Sequence, residues 1–115
     1  MWDDQCSGTV ARYSQGLDPQ LYAPARLFIV AVLVDMRWCG FGSVRDALGL
    51  TDVELSQQLT KLHMAGYVQT QCAHGRCTEI RLTLDGCDRL VRHLEALQAV
   101  VFKVAELIAV GNEDV

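Results

Sequence analysis

At 115 residues, half of them hydrophobic, with a net charge of −4, the chain is sized for one domain with a real core and is too short for two. The acidic balance argues against a generic polyanion binder, which carries a basic excess, and leaves only a local contact surface open. Five irregularly spaced cysteines, no apolar leader segment, and a longest apolar run confined to 27–34 argue against a disulfide framework, a secretory signal and a membrane span, so the expectation is a cytoplasmic protein with reduced thiols.

Residues 1–16 show neither a helical nor a strand period and read as a tail, ordered at most around Trp2 or Tyr13. Asp18-Pro19 has the form of a helix start, and Ala23-Pro24 offers a second one. A helix is expected from there to about Arg37. Leu21, Ala25, Phe28, Ile29, Val32, Leu33 and Met36 form one stripe, and Leu27, Val30, Ala31 and Val34 fill the other side. A helix that is apolar all round is buried on more than one face. In so small a chain, the second face points to a partner chain.

Cys39-Gly40-Phe41-Gly42 breaks this helix. A short helix over 43–48, stopped by Gly49, precedes another that starts at Thr51. Thr51 and Glu54 have the spacing of a capping box. Leu55, Leu59 and Leu62 form its inner stripe, and Gly66 is placed to end it. Residues 43–66 therefore have the spacing of a helix-turn-helix.

Strands are expected over 67–71 and 79–82, with Val68, Thr70, Ile80 and Leu82 on one inward face. The segment 72–77 between them is a turn, making the hairpin a wing. Thr83 caps a last helix over 84–110. Along it Cys87, Leu90, Leu94, Leu97, Val101, Val104 and Ile108 recur at steps of three and four, a heptad seam. Leu84, Val91, Val100 and Leu107 add a second stripe. One stripe is expected on the domain and the other on a partner helix. Self-association is expected through Leu27, Val30 and Val34 of the first helix and Leu90, Leu94, Leu97, Val101, Val104 and Ile108 of the last.

In this order of elements the chain resembles the small winged helix-turn-helix transcriptional regulators distantly related to the MarR group, over about 17–97. The matching segments are Pro24-Ala25-Arg26-Leu27, Val44-Arg45-Asp46-Ala47-Leu48-Gly49-Leu50-Thr51-Asp52, Leu55-Ser56, Leu59, Lys61-Leu62, Ala65-Gly66-Tyr67-Val68, Arg81-Leu82-Thr83 and Gly86. The resemblance implies a mainly α fold with a small β-hairpin. It divides the chain into a tail (1–16), a DNA-binding domain (17–83), a dimerisation helix (84–110) and a second tail (111–115). It further implies a homodimer that represses from a pseudo-palindromic operator in double-stranded DNA, with no cofactor and no membrane partner.

A recognition helix reads base edges from its N-terminal half. Val53, Glu54, Gln57 and Gln58 lie there. Glutamine pairs bidentately with adenine, glutamate accepts from cytosine, and valine suits a thymine methyl. Thr51, Ser56, Lys61 and Arg45 are candidates for the phosphates, and His74 and Arg76 for DNA at the wing tip. This departs from the family's usual basic surface: over 51–82, Lys61, Arg76 and Arg81 stand against Asp52, Glu54 and Glu79. Few phosphate contacts give binding that tolerates salt. The rival reading is a winged-helix interaction module that has lost most DNA affinity and binds another regulator.

Cys72 and Cys77, with His74 between them, raise a thiol- or metal-responsive wing as a lesser alternative. Strand parity counts against a disulfide: it puts Cys72 on the inner face and Cys77 on the outer face or in the loop. A small-molecule effector between dimer helices would meet Trp38, Phe28 and Phe102. No catalytic constellation is present at a known spacing, and Gly40-Phe41-Gly42 is a turn rather than a nucleotide motif.

Overall fold

Both proline-led starts are used. In a computed structural model, which describes residues 2–113, Asp18 caps a single 3-10 turn, Pro19–Leu21, by accepting the Gln20 N–H at 3.0 Å. Ala23 then leads into the helix Pro24–Val32, α2 in chain order. It is preceded by α1 (Trp2–Ser14) and followed by β1 (Cys39–Gly40), α3 (Phe41–Leu48), α4 (Asp52–Met64), β2 (Val68–Ala73), β3 (Arg76–Leu82) and α5 (Leu84–Glu113). The strands form one antiparallel sheet in the order β1-β3-β2. No helix among the described residues is long and apolar enough to cross a membrane.

The chain forms two compact units, one of Asp18–Leu90 and one of Met1–Leu17 with Val91–Val115. In the first, Leu21, Ile29, Val30, Leu33, Val44, Leu55, Leu59, Leu62, Tyr67, Val68, Ile80, Leu82 and Leu90 make one core. Each such aliphatic side chain contributes about 1.5–3 kcal/mol of transfer free energy when fully buried. The expected inner stripe of α4 and three of the four inward strand positions are among them, and Thr70, the fourth, is half-buried.

Two glycines set the angles of the helix-turn-helix. Gly49 (φ +66) and Gly66 (φ +84) follow α3 and α4 in the left-handed region. The next residue's N–H then reaches back to satisfy a last-turn carbonyl: Leu50 to Arg45 at 3.0 Å and Tyr67 to Leu62 at 2.9 Å. At the other end of α4, Thr51 and Glu54 form the reciprocal capping box. Thr83 starts α5, its hydroxyl accepting the Gly86 N–H at 2.8 Å and donating to the Gly66 carbonyl at 2.7 Å.

Several expectations are corrected. α2 ends at Val32 rather than near Arg37. The chain reverses through Met36 (φ +62) so that Cys39 and Gly40 pair with Ile80 and Glu79 of β3. This long-range pairing turns part of the expected turn into a strand. On the shortened α2, Phe28 and Val32 stay exposed, whereas Val30 is fully buried and Leu27 packs half-buried on the core.

The N-terminal segment is helical over α1, not an unstructured tail. It has no apolar stripe, which hides it from a periodicity argument. Arg12 lies in its last turn, where a cation suits the helix dipole, and Ser14 Oγ donates back to the Ala11 carbonyl at 3.1 Å. Tyr13 is half-buried, while the Trp2 side chain lies outside the described residues. At the other end α5 runs into the expected second tail.

Candidate nucleic-acid interface

The outward face of α4 is built by helical spacing. Leu55, Leu59 and Leu62 face the core, so Val53, Ser56, Gln57, Thr60, Lys61 and Met64, at steps of three and four, share the exposed side. Gln57 lies in the middle of this stripe. Thr60 and Met64 were not among the sequence candidates, although the steps from Val53 and Gln57 lead to them directly.

Two of the expected base readers are already engaged. Gln58 is half-buried, and its Oε1 accepts from Arg26 Nη1 at 2.9 Å, while Arg26 Nε donates to the Gln20 carbonyl at 2.6 Å. A bidentate pair with adenine needs that oxygen free, so Gln58 braces α4 against α2 instead. Glu54 Oε2 accepts the Thr51 N–H at 3.2 Å, closing the capping box. The Thr51 hydroxyl accepts the Glu54 N–H at 3.1 Å and keeps its own hydrogen free to donate.

Arg45 is also occupied. Its guanidinium lies 2.9 Å from Asp46 and 2.7 Å from Asp52, and these hydrogen bonds hold its pKa above the ordinary arginine value. The cation sequence reading offered to a phosphate is thus matched by two exposed carboxylates. Asp52 and Glu54 in the first turn of α4 also oppose anion binding by the free N–H groups there.

The wing closes through His74 (φ +54) and Gly75 (φ +74), a two-residue turn with both residues left-handed, the backbone that matches strand twist. His74 and Arg76 are exposed at this tip. Lys61 and Arg76 make no ion pair among the described residues. Further down the wing, Arg81 stacks over Trp38 at 4.5 Å and donates to Gln69 at 2.7 Å. Trp38 is therefore part of the wing's edge; Phe28 and Phe102 are exposed, each on its own unit.

The hairpin register overturns the parity argument. Gln71 pairs with Glu79 but Cys72 pairs with Cys77, which leaves Thr78 as an extra residue, its hydroxyl on the Gln71 carbonyl at 3.2 Å. Cys77 is thereby moved to the inner face, opposite Cys72. Among the described residues, no group of three His, Cys, Asp or Glu side chains converges on a metal site.

The heptad seam of α5 divides along its length rather than around it. Leu90 joins the core at 2% exposure, with Cys87 half-buried and packed against the same core, whereas Leu94, Leu97, Val101, Val104 and Ile108 are 37–60% exposed. Val30 and Leu90 are used by the chain's own core and are withdrawn from the expected interface. Val34 remains exposed.

The helix-turn-helix, the three-stranded sheet and the exposed tip define the class: a winged helix-turn-helix protein. The chain belongs to the winged helix DNA-binding domain family, whose model matches residues 25–101. Among solved structures it is similar to a transcriptional regulator homologue from Pyrococcus horikoshii OT3, at 28% identity and TM-score 0.66, over 74% of this chain and 87% of that one. It is also similar to the transcriptional repressor BigR from Xylella fastidiosa, at 26% identity and TM-score 0.53, over 76% of this chain and 81% of that one. The fold is shared with the M. tuberculosis transcriptional regulator MOSR, solved in complex with DNA, at 19% identity and TM-score 0.60, over 90% and 77% of the two chains. No curated protein matches the chain in sequence.

Proposed function

We propose that the chain is a cytoplasmic transcriptional regulator that binds a pseudo-palindromic duplex as a homodimer and represses by occlusion. The observation that carries this reading is the exposed stripe Val53, Ser56, Gln57, Thr60 and Lys61 on a helix fixed at both ends and followed by a wing whose tip exposes His74 and Arg76. Gln57 would read a base in the major groove, and Arg76 would enter the neighbouring minor groove. Thr51, Ser56 and Lys61 would position the helix on the backbone. The descriptions of the P. horikoshii and X. fastidiosa relatives as a transcriptional regulator homologue and a repressor support the same role.

The dimer rests on α5. Exposed Leu94, Leu97, Val101, Val104 and Ile108 continue one seam along a helix of 30 residues, about 45 Å long. An apolar stripe of that length on a soluble surface favours a second copy.

A second reading, an interaction module with little DNA affinity, is favoured by the pairing of Arg45 with Asp46 and Asp52. A mobility-shift titration of the DNA upstream of its own gene at low salt separates the two. A shifted band weakened by Gln57→Ala and Arg76→Ala supports the regulator; no shift by folded dimer gives the second reading the field.

A further inference from the structure

The bulge at Thr78 does more than bend the wing: it seats two cysteines face to face. Cys72 and Cys77 are direct cross-strand partners, one pair removed from the His74-Gly75 turn, and both are free thiols. Directly opposed residues of an antiparallel pair have Cα atoms about 4.5–5.5 Å apart, inside the window of about 4.4–6.8 Å that a disulfide spans. Their environments differ. Cys72 is exposed, while Cys77 is half-buried against the core with its Sγ donating to the Glu79 carbonyl at 3.7 Å. Burial first, and the neighbouring Cys72 second, push the Cys77 thiol above its ordinary pKa.

We propose that Cys72 and Cys77 are a reversible dithiol–disulfide pair that locks the stem of the wing when a peroxide is present. The exposed Cys72 sulfur takes one oxygen from hydrogen peroxide, giving a sulfenic acid and one water. The Cys77 sulfur then attacks Cys72, forming the S–S bond and expelling the oxygen as a second water. The two sulfurs together lose two electrons, the peroxide gains two, and both thiol hydrogens leave in the waters. A small dithiol returns the pair to thiols by exchange. The unequal exposure assigns the order: Cys72 reacts first and Cys77 resolves it before further oxidation. Closing so short a loop fixes the segment that carries His74 and Arg76. Cys39 lies opposite Ile80 in the sheet, and Cys87 is half-buried on α5.

The chain carries a convenient reporter. Trypsin cuts after Lys61, Arg76 and Arg81, so Cys72 and Cys77 leave on separate peptides, 62–76 and 77–81, joined only by a disulfide. Reduced full-length protein is treated with hydrogen peroxide, alkylated, digested without reductant and mapped by mass spectrometry. The two peptides are expected as one linked species that becomes the major form, parts on reduction, and is lost in Cys72→Ser and Cys77→Ser. Cys77→Ser is expected to drive Cys72 on to sulfinic acid or to an inter-chain bond. Amide NMR spectra of each sample verify that the domain is folded. In folded wild-type protein, Cys72 as sulfinic acid or as an inter-chain disulfide, with peptide 77–81 still alkylated, would overturn the proposal. So would two thiols that stay unreacted. The test uses no DNA, so its outcome is independent of the regulator reading.

Discussion

Arg45 and Asp52 face each other across the turn of the helix-turn-helix at 2.7 Å, and Asp46 holds the same guanidinium from the other side. The pair is exposed, so solvent screening leaves it little weight in stability. Its effect on DNA is larger, because it removes a cation from the surface where phosphates would lie. In the proposed dimer, Lys61 and Arg76 on each protomer are expected to give a log–log salt slope of about 4, at roughly 0.9 per neutralised phosphate. Asp52→Asn is expected to tighten duplex binding about fivefold to tenfold at low salt, ~1–1.4 kcal/mol. It should also steepen the slope as Arg45 is released. Fluorescence titrations at several salt concentrations check this. An unchanged or weaker affinity would show that Arg45 does not approach the duplex.

Asp18 ties three parts of the first unit together. Its carboxylate accepts from Tyr67 Oη and from Arg89 Nε at 3.0 Å, and Arg89 also caps the end of α4 through the Ala65 carbonyl at 2.5 Å. Arg89 lies 4.1 Å over the Tyr67 ring. Burial raises the Asp18 pKa, but the hydrogen bonds from Tyr67, the Gln20 N–H and Arg89 outweigh it and hold the carboxyl below the ordinary aspartate range. A carboxylate with a depressed folded pKa stabilises fully above its unfolded pKa and loses that contribution as pH falls through the folded one. Stability is therefore expected to fall below about pH 4, the ordinary range of an unfolded aspartate. Asp18→Asn should cost about 1.5–3 kcal/mol at neutral pH and flatten the acid limb. Urea midpoints measured from pH 3 to 7 decide it; an equally steep acid limb in the variant would point to another carboxylate.

Gly86 sits where α5 begins against the end of α4. A Cβ there would fall onto the Tyr67 carbonyl oxygen and within 3.0 Å of Leu82 and Thr83 side chains. The backbone carbonyl has little room to yield, so Gly86→Ala is expected to destabilise by about 1–3 kcal/mol despite alanine's better helix propensity. Equilibrium denaturation measures it. A stabilised variant would mean that the close approach relaxes without cost.

Val101 is 60% exposed in the middle of the α5 seam. Placing a carboxylate there puts a charge into the proposed dimer contact without touching the core of the first unit. Val101→Asp is expected to raise the dimer dissociation constant at least a hundredfold, ~2.7 kcal/mol. Sedimentation velocity reads the change, and circular dichroism verifies the fold. A variant still dimeric at low micromolar concentration would remove α5 from the interface.

Local chemistry was legible in the chain, and long-range pairing was not. Thr51 and Glu54, Gly49, Gly66 and the leucines of α4 announce the helix-turn-helix because caps and stripes are properties of a few neighbouring residues. Beyond the end of α2, Cys39 pairs with Ile80, 41 positions away in the chain, which no local period reveals. The Thr78 bulge shifts the hairpin by one residue, and strict alternation then misplaces Cys77. For the site, spacing identified the exposed face of α4 and the capping box that engages Glu54, but not that Arg26 and Asp52 engage Gln58 and Arg45. Periodicity likewise shows that Val30 and Leu90 are apolar without saying whether their cover is the chain itself or a copy of it.

Whether α4 and the wing of the proposed dimer read duplex DNA is decided by selection from a pool of random duplexes. Folded dimer, incubated at low salt through successive rounds of capture and sequencing, is expected to enrich a pseudo-palindrome. Its half-sites should lie about one helical turn apart, with the base preference relaxed at one position per half-site in Gln57→Ala. A pool that stays random after selection by folded, dimeric protein would rule out base reading by α4 and the wing.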